Sequence, residues 1–181
     1  MQQLQKLQFV GHAPRVYEDL MQVLKFTEWG DSNQISLKHR PGAVDQWKDG
    51  IGSLYNKETK SDIAKESEFT EYNDLLPNYT KSLLIEFSKF IGKDLGRVRF
   101  MRQEPKRGLS VHKDTSIRYH LVLSTNQNAF FGFKTGNASL PAVCYHIPAD
   151  NQFYQVDTTK EHFVYNGGWE ERIHLVICPA S

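Results

Sequence analysis

Two stretches in the first half of the chain carry apolar residues at helical spacing. Pro14 is suited to open the first helix, because its missing N–H costs nothing in the first turn. The apolar positions that follow are Val16, Tyr17, Leu20, Met21 and Leu24. A second helix is predicted from near Pro77, with Gly92 placed to end it. Its buried stripe is predicted to consist of Tyr79, Leu83, Leu84, Phe87 and Ile91.

From Gly96 onward the pattern changes to short runs of strand length, separated by Gly, Pro, Asn and Asp. About eight such runs indicate a sandwich or barrel rather than alternating β/α units. We therefore expect a mainly β protein with flanking helices (α+β), whose N-terminal helices pack on one sheet. The predicted strands are Arg97–Gln103, Leu109–Lys113, Ile117–Ser124, Asn128–Lys134, Ala142–Ile147, Phe153–Val156, His162–Tyr165 and Arg172–Cys178, after a short early strand at Gln34–Leu37.

The length of 181 residues is enough for one domain with its own core. We expect a single domain over 1–181, in which 1–95 form a helical and irregular support and 96–181 form the β core. The segment Lys57–Asp74 is dense in charge and poor in apolar residues. It is compatible with a mobile lid over a site and with a solvated surface excursion.

Composition narrows the class of protein and its partners. The net charge of +1, from 22 basic and 21 acidic residues, gives no electrostatic support for nucleic-acid binding. No segment approaches the roughly 20 apolar residues that span a bilayer. Residues 1–10 lack the apolar stretch of a signal peptide. Cys144 and Cys178 both lie in apolar runs, which favours small buried hydrophobes. A reduced, cytoplasmic protein is expected.

The candidate chemistry begins with His112 and Asp114, which are two positions apart in a predicted strand and its extension. Alternate residues of a strand project to the same side, so these two side chains can share one ion. A later strand can supply His162 as the third ligand. Two histidines and one carboxylate hold non-haem iron(II) on one face and leave the opposite positions open. The predicted metal ligands are therefore His112, Asp114 and His162.

Two arginines in the predicted strands near these ligands each share one side of their strand with a histidine. Arg118 shares a strand face with His120, and Arg172 shares one with His174. A guanidinium binds a carboxylate through two parallel hydrogen bonds, so Arg172 is suited to seat an acidic co-substrate beside the iron. This combination suggests an oxygenase that uses 2-oxoglutarate to activate dioxygen.

An arginine that faces inward needs a carboxylate partner, because burying its charge alone is very costly. The alternative for Arg118 and Arg172 is an ordinary salt bridge at a sheet edge. The acidic residues proposed for it are Glu161, Glu170 and Glu171.

An ordered set of four sequence blocks resembles the aspartyl/asparaginyl β-hydroxylase family, a group of cupin-like 2-oxoglutarate oxygenases. The resemblance covers roughly Arg97 to Pro179 and implies a double-stranded β-helix, or jelly-roll, core. The blocks are His112-Lys113-Asp114, Arg118-Tyr119-His120-Leu121, Val156-Asp157-Thr158 followed by His162 and Asn166, and Arg172-Ile173-His174-Leu175.

The resemblance implies specific roles for these residues. His112 and His162 would bind Fe(II), and Asp114 stands in the carboxylate position, which the best-known animal members lack. Arg172 would hold the distal carboxylate of 2-oxoglutarate. Arg118 and His120 correspond to residues that contact the co-substrate near the metal. The resemblance assigns no role to His174, for which structural packing is the default expectation.

The implied activity is that of an Fe(II)- and 2-oxoglutarate-dependent dioxygenase that hydroxylates a protein, a peptide or an amino acid. Two alternatives stay open. One is a non-catalytic cupin-like module for ligand binding or assembly, which would have no need of a facial triad. The other is a metal cupin that does not use 2-oxoglutarate, and Arg172 is the residue that discriminates against it.

Overall fold

Short antiparallel strands make up most of the regular structure, as predicted. The computed structural model describes residues 2–136 and 141–181. The helices are α1 (Ala13–Val23) and α2 (Asn78–Ile91), with a 3-10 turn at Glu66–Glu68. In chain order the strands are β1 (Leu4–Val10), β2 (Gln34–Ser36), β3 (Lys38–His39), β4 (Tyr55–Asn56), β5 (Ser61–Asp62), β6 (Glu71–Tyr72), β7 (Leu95–Gln103), β8 (Arg107–His112), β9 (Arg118–Ser124), β10 (Ala129–Phe133), β11 (Val143–Tyr145), β12 (Gln152–Val156), β13 (His162–Asn166) and β14 (Arg172–Pro179).

The chain groups into two compact units, each made of two separate segments. One unit contains Met1–Ala13 and Arg102–His174, and the other contains Pro14–Met101 and Leu175–Ser181. Strand β14 begins in the former and ends in the latter. The division of the chain into a support over 1–95 and a core over 96–181 stays a prediction.

The first unit carries two groups of strands. Four strands form a sheet in the order β11-β10-β13-β8, and β1, β12, β9 and β14 adjoin one another in that order. Apolar side chains from both groups meet in a common cluster, which buries them between the strands. The cluster consists of Val122, Phe131, Phe133, Ile147, Tyr154, Val156 and Val164.

Strand β1 is absent from the sequence-based expectation, and its register explains why. Its residues pair with β12 from Leu4 to Lys6 and again at Val10, with a shift of register in between. A bulge of this kind breaks the two-residue alternation of side chains. Leu4 and Leu7 therefore both come out half-buried although they are three positions apart, and the strand pattern is hidden.

The second unit contains both helices. On α1 the buried face consists of Val16, Leu20 and Val23, whereas Tyr17 and Met21 are exposed, because a face of this width holds only positions one turn apart. On α2 the predicted stripe is buried at its centre and half-buried at its ends. Gly92 ends α2 as predicted, with a left-handed φ of 64°. Neither described helix is long and apolar enough to cross a membrane.

Within the second unit β2 pairs antiparallel with β7, and Ile35 lies opposite Phe100. Residues 57–62 are exposed and form the turn and the second strand of the β4–β5 hairpin. The part that follows is anchored, because Phe69 is buried and Glu66 forms an ion pair of 2.7 Å with Arg97. The surface-excursion interpretation therefore describes only the first half of the charged segment.

The two cysteines differ in their surroundings. Cys178 is buried, as predicted, but Cys144 is exposed. Strand β11, which carries Cys144, is an edge strand with mostly exposed residues, so its apolar run has no neighbour on its outer side.

One buried hydrogen-bonding group ties the two helices together. Asp19 of α1 accepts hydrogen bonds from the Thr80 backbone N–H (3.0 Å) and hydroxyl (2.7 Å) at the start of α2. Pro77, which precedes α2, provides no side-chain cap, so Asp19 takes that role from a different helix.

We predict that Asp19→Ala lowers the free energy of unfolding by about 1–2 kcal/mol, because it leaves the Thr80 groups without an acceptor. Urea denaturation followed by circular dichroism measures this. The matched control is Glu18→Ala on the exposed side of α1, where only an ion pair with Arg15 is lost. Its expected cost is below about 0.5 kcal/mol. Equal effects of the two substitutions would contradict the capping role.

Candidate metal centre

Strand pairing brings the two predicted histidine ligands together. Strands β8 and β13 run antiparallel, and His112 lies directly opposite His162 in their register. The centroids of the two rings are 4.3 Å apart. Asp114 follows β8, and one ligand atom from each of His112, Asp114 and His162 lies within 4.8 Å of the others. The structure thus assembles the three residues that the sequence singles out.

The carboxylate of Asp114 is held in place from two sides. Its backbone N–H donates to the Thr158 carbonyl at 2.8 Å, which ties the segment after β8 to the one before β13. Its Oδ1 accepts a hydrogen bond from Arg118 Nη2 at 2.6 Å. Its Oδ2 is buried, has no hydrogen-bond partner among the described residues, and lies 3.6 Å from His162 Nε2. The hydrogen bond from Arg118 to Oδ1 therefore orients the carboxylate, and Oδ2 lies on the side of His162.

Backbone carbonyls determine which ring nitrogen of each histidine carries the proton. His112 Nδ1 lies 2.7 Å from the Ser110 carbonyl, and His162 Nδ1 lies 2.9 Å from the Lys160 carbonyl. A carbonyl oxygen only accepts, so each Nδ1 must donate. The neutral rings then carry a lone pair on Nε2, which is the arrangement seen around metal-ligating histidines.

The donor set fits a divalent transition metal. One ligand atom from each histidine lies close to the carboxylate of Asp114, whose Oδ2 has no hydrogen-bond partner among the described residues. Burial lowers the pKa of His162 below its ordinary value, and this favours the neutral ring that a metal requires. Imidazole and carboxylate ligands together suit iron(II), among other divalent ions. All of these groups belong to the first unit.

Arg172 lies at the start of β14 and is almost fully buried, with 7% of its surface exposed. The expected carboxylate partner is missing from the described residues. Glu171 pairs instead with Arg102 at 3.0 Å, and Glu161 approaches Lys134 at 3.9 Å. Burial lowers the pKa of Arg172 to about 9, so the group is still a cation at neutral pH. The salt-bridge alternative is therefore wrong for Arg172, whereas Arg118 has a carboxylate partner in Asp114.

The only hydrogen-bonding contact of the Arg172 guanidinium in the described chain is with His174, whose Nδ1 lies 3.3 Å from Nη2. His174 Nδ1 also lies 3.2 Å from Nδ1 of His120. Both histidines are buried, to 1% exposure for His174 and 4% for His120. The default prediction of mere packing for His174 overlooks these two contacts.

Phe131 connects this cluster with the metal-binding group. Its ring stacks on His162 at 5.1 Å between centroids and 18° between planes. The His120 ring meets the same phenyl ring edge-on at 5.7 Å. Phe131 lies in β10 between these histidines, so it sets the spacing between the candidate metal group and the Arg172 cluster. An apolar residue inside a strand offers no signal of such a position in sequence.

Two further residues, Thr158 and Asn166, hold the backbone around the candidate site. Both belong to a sequence block that resembles the family, but neither was assigned a role from the sequence. Thr158 is fully buried and its hydroxyl donates to the Ser116 carbonyl at 2.5 Å. Asn166, also fully buried, donates from Nδ2 to the carbonyls of Gln103, Glu104 and Glu170. Asn166 thus holds the turn that leads into Arg172. Their presence in the blocks was the available signal.

Comparisons with known proteins identify the family of the chain and support its fold. A sequence model of the family described as aspartyl/asparaginyl beta-hydroxylase matches residues 11–178. That range includes every residue of the candidate site. No curated protein matches the chain.

Solved structures resemble the fold at low sequence identity. HygX from Streptomyces hygroscopicus, solved with nickel and 2-oxoglutarate bound, has a TM-score of 0.54 and 9% identity, with 97% of this chain and 81% of that chain covered. SnoK, a non-heme alpha ketoglutarate dependent carbocyclase from nogalamycin biosynthesis, has a TM-score of 0.53 and 11% identity, with 97% and 78% covered. These likenesses confirm the predicted jelly-roll fold.

The chain spans only part of some relatives. It covers 58% of an oxidoreductase of the 2OG-Fe(II) oxygenase family from Burkholderia pseudomallei, with 59% of this chain aligned, 16% identity and a TM-score of 0.45.

The hydrogen bonds to Ser110 and Lys160 make a prediction about proton positions. In metal-free protein with labelled histidines, long-range 1H–15N spectra should show His112 and His162 protonated on Nδ1. His146, whose Nδ1 lies 3.1 Å from the Ala129 carbonyl, is a positive control outside the metal group. Added Ni(II) should perturb the signals of His112 and His162 and leave those of His146 in place. Protonation on Nε2 in metal-free protein would contradict the assignment.

Proposed function

The chain belongs to the aspartyl/asparaginyl β-hydroxylase family, and on that premise we propose that it is an Fe(II)- and 2-oxoglutarate-dependent dioxygenase. The observation that carries the proposal is the proximity of three potential ligand atoms, one each from His112, Asp114 and His162, which all lie within 4.8 Å of one another. Two histidines and one carboxylate are the ligand set that holds iron(II) in many non-haem oxygenases.

In this proposal Fe(II) is held by Nε2 of His112, Nε2 of His162 and Oδ2 of Asp114. The bound metal supplies redox chemistry with dioxygen and 2-oxoglutarate, which yields succinate, carbon dioxide and a hydroxylated C–H bond. The protein keeps the three ligands in orientation: Ser110 and Lys160 hold the rings, and Arg118 holds the carboxylate.

Arg172 supports 2-oxoglutarate as the co-substrate. A buried cation without a carboxylate partner is costly, and a carboxylate brought by a ligand relieves that cost. Arginine forms two parallel hydrogen bonds with such a group. We assign Arg172 to the distal carboxylate of 2-oxoglutarate, in agreement with the structural likeness to HygX, which was solved with that compound and nickel.

The roles of Arg118 and His120 as co-substrate contacts stay predictions. Arg118 donates to Oδ1 of Asp114, so its first contribution in this proposal is to aim Oδ2 of that carboxylate at the metal. His120 lies against His174 and Phe131, and this places it between the Arg172 cluster and His162. Dioxygen would need no dedicated side chain in this proposal, because a set of three protein ligands would leave room on the metal for small molecules.

The class of primary substrate is proposed from the family description and not from a side chain. A protein, a peptide or an amino acid fits the family description, and hydroxylation is the outcome that it names. SnoK is described as a carbocyclase, so the same fold also supports another outcome. A purely non-catalytic module has no use for three potential metal ligands so close together, and a metal cupin without 2-oxoglutarate has no use for a buried Arg172 without a carboxylate partner among the described residues.

We predict that His112→Ala weakens binding of Mn(II), a redox-inert stand-in for Fe(II), by at least about 100-fold, because one of three protein ligands is lost. Isothermal titration calorimetry under anaerobic conditions measures the dissociation constant. His146→Ala serves as the matched control, since His146 lies outside the metal group, and its Mn(II) affinity should equal that of the wild type. Unchanged Mn(II) affinity in His112→Ala would remove the ligand assignment.

We further predict that Arg172→Ala weakens 2-oxoglutarate binding by about 3 kcal/mol, or roughly 100-fold, with little change in metal affinity. The charge-transfer band of the anaerobic protein with Fe(II) and 2-oxoglutarate reports this binding. Arg15→Ala removes an exposed arginine on α1 and should leave the band unchanged. A wild-type protein that binds Fe(II) and shows no band would rule out 2-oxoglutarate as co-substrate.

A further inference from the structure

We propose that His174 is a positioning residue of the co-substrate site, whose Nδ1 accepts hydrogen bonds from both Arg172 and His120. This inference rests on the proposed function, because it treats Arg172 as the residue that binds 2-oxoglutarate. It goes further in giving a role to a histidine to which the family resemblance assigns none.

The location of His174 singles it out. It lies two residues after Arg172 in β14, so the two side chains share one side of the strand. The residues between and after them, Ile173 and Leu175, are buried and apolar. Nδ1 of His174 lies 3.3 Å from Arg172 Nη2 and 3.2 Å from His120 Nδ1, so a single nitrogen faces both predicted co-substrate residues.

The chemistry of the guanidinium fixes the direction of these hydrogen bonds. Arginine has only donors, so the His174 Nδ1 that faces it must present a lone pair. His120 Nδ1 faces the same lone pair and must therefore carry a proton and donate it. The opposite tautomer would place a His174 N–H against the Arg172 N–H, and this would leave a buried donor facing a donor.

The proton of neutral His174 then resides on Nε2. This atom is buried and has no hydrogen-bond partner in the described part of the chain. No acceptor on that side of the ring competes for control of the tautomer. Burial, and after it the positive charge of Arg172, hold the pKa of His174 well below its ordinary value, which agrees with a neutral ring.

The consequence is an ordered co-substrate site before the acid arrives. Arg172 has several rotatable bonds, and without a contact its guanidinium would lose that freedom only when it meets the ligand. Holding such a side chain in its bound orientation lowers the entropic cost of binding. With Nη2 engaged by His174, the remaining N–H groups of the planar guanidinium are left in a fixed orientation for a carboxylate.

Simple core packing is the competing explanation. A histidine kept only for its volume at a buried strand position would be replaceable by leucine without an effect on ligand binding. The two explanations therefore differ in one measurable quantity, the affinity for 2-oxoglutarate in a folded, metal-loaded protein.

The test compares three substitutions, His174→Leu, His174→Asn and His174→Gln. Asparagine places an amide oxygen at the same number of bonds from Cα as Nδ1, whereas glutamine places its polar atoms at the distance of Nε2. Calorimetry of Mn(II)-loaded protein with 2-oxoglutarate gives the affinity without turnover. Mn(II) affinity and the melting temperature are measured on the same samples.

We expect His174→Leu and His174→Gln to bind 2-oxoglutarate roughly 10- to 30-fold more weakly than the wild type, with equal Mn(II) affinity. His174→Asn should stay within about 3-fold of the wild type, because its oxygen restores the acceptor. Wild-type affinity in His174→Leu, or an asparagine variant as weak as the glutamine variant, overturns the inference. If the leucine variant does not fold, the contrast between asparagine and glutamine decides.

A second readout separates this inference from the proposed function. In 15N spectra of metal-free wild-type protein, His174 should be protonated on Nε2, opposite to His112 and His162, and protonation on Nδ1 overturns the inference. A wild-type protein that binds Mn(II) but not 2-oxoglutarate overturns the proposed function and this inference together. Loss of 2-oxoglutarate affinity confined to the leucine and glutamine variants supports both.

Discussion

The antiparallel pairing of β8 with β13 is the constraint on which the candidate site depends. It places His112 opposite His162, and a slip of one residue would turn one of the rings to the other face of the sheet. The register shifts between His162 and Val164. The pairing of the two histidines therefore does not simply continue the pairing of the residues that follow in β13. Asp114 follows from the same pairing, because its N–H bonds to the chain just before β13.

The site also contains buried polar groups for which the described residues provide few or no hydrogen-bond partners, so the free-energy cost of burying them is not compensated within that part of the chain. Asp114 Oδ2, His174 Nε2 and the Arg172 guanidinium are buried, and the described chain gives them little or no hydrogen bonding. Each such group costs free energy in the absence of a partner. Their arrangement is understandable if the partners are ligands: a metal for the carboxylate and an acid for the arginine. Stability is given up at the positions where binding occurs.

The sequence pattern predicted most of the fold because the jelly roll is built from local signals. Strands β7 to β14 each occupy a run that ends at turn residues, and Gly92 ends α2 through the left-handed conformation that glycine adopts readily. The predictions that failed concern features that depend on residues distant in sequence. Strand β1 is concealed by a bulge in its pairing with β12, and Cys144 is exposed because β11 is an edge strand. Both facts depend on a neighbouring strand far away in sequence.

By itself, the sequence determined which residues are candidates for the site, since residue type and order within four blocks single out His112, Asp114, His162 and Arg172. It did not determine how they are paired. Three features depend on the tertiary structure. Arg118 donates to Oδ1 of Asp114, and Arg172 has no carboxylate partner among the described residues. Phe131 lies between His120 and His162. Hydrogen bonds and ring contacts depend on distances of a few ångströms between strands, and spacing along the chain does not encode such distances.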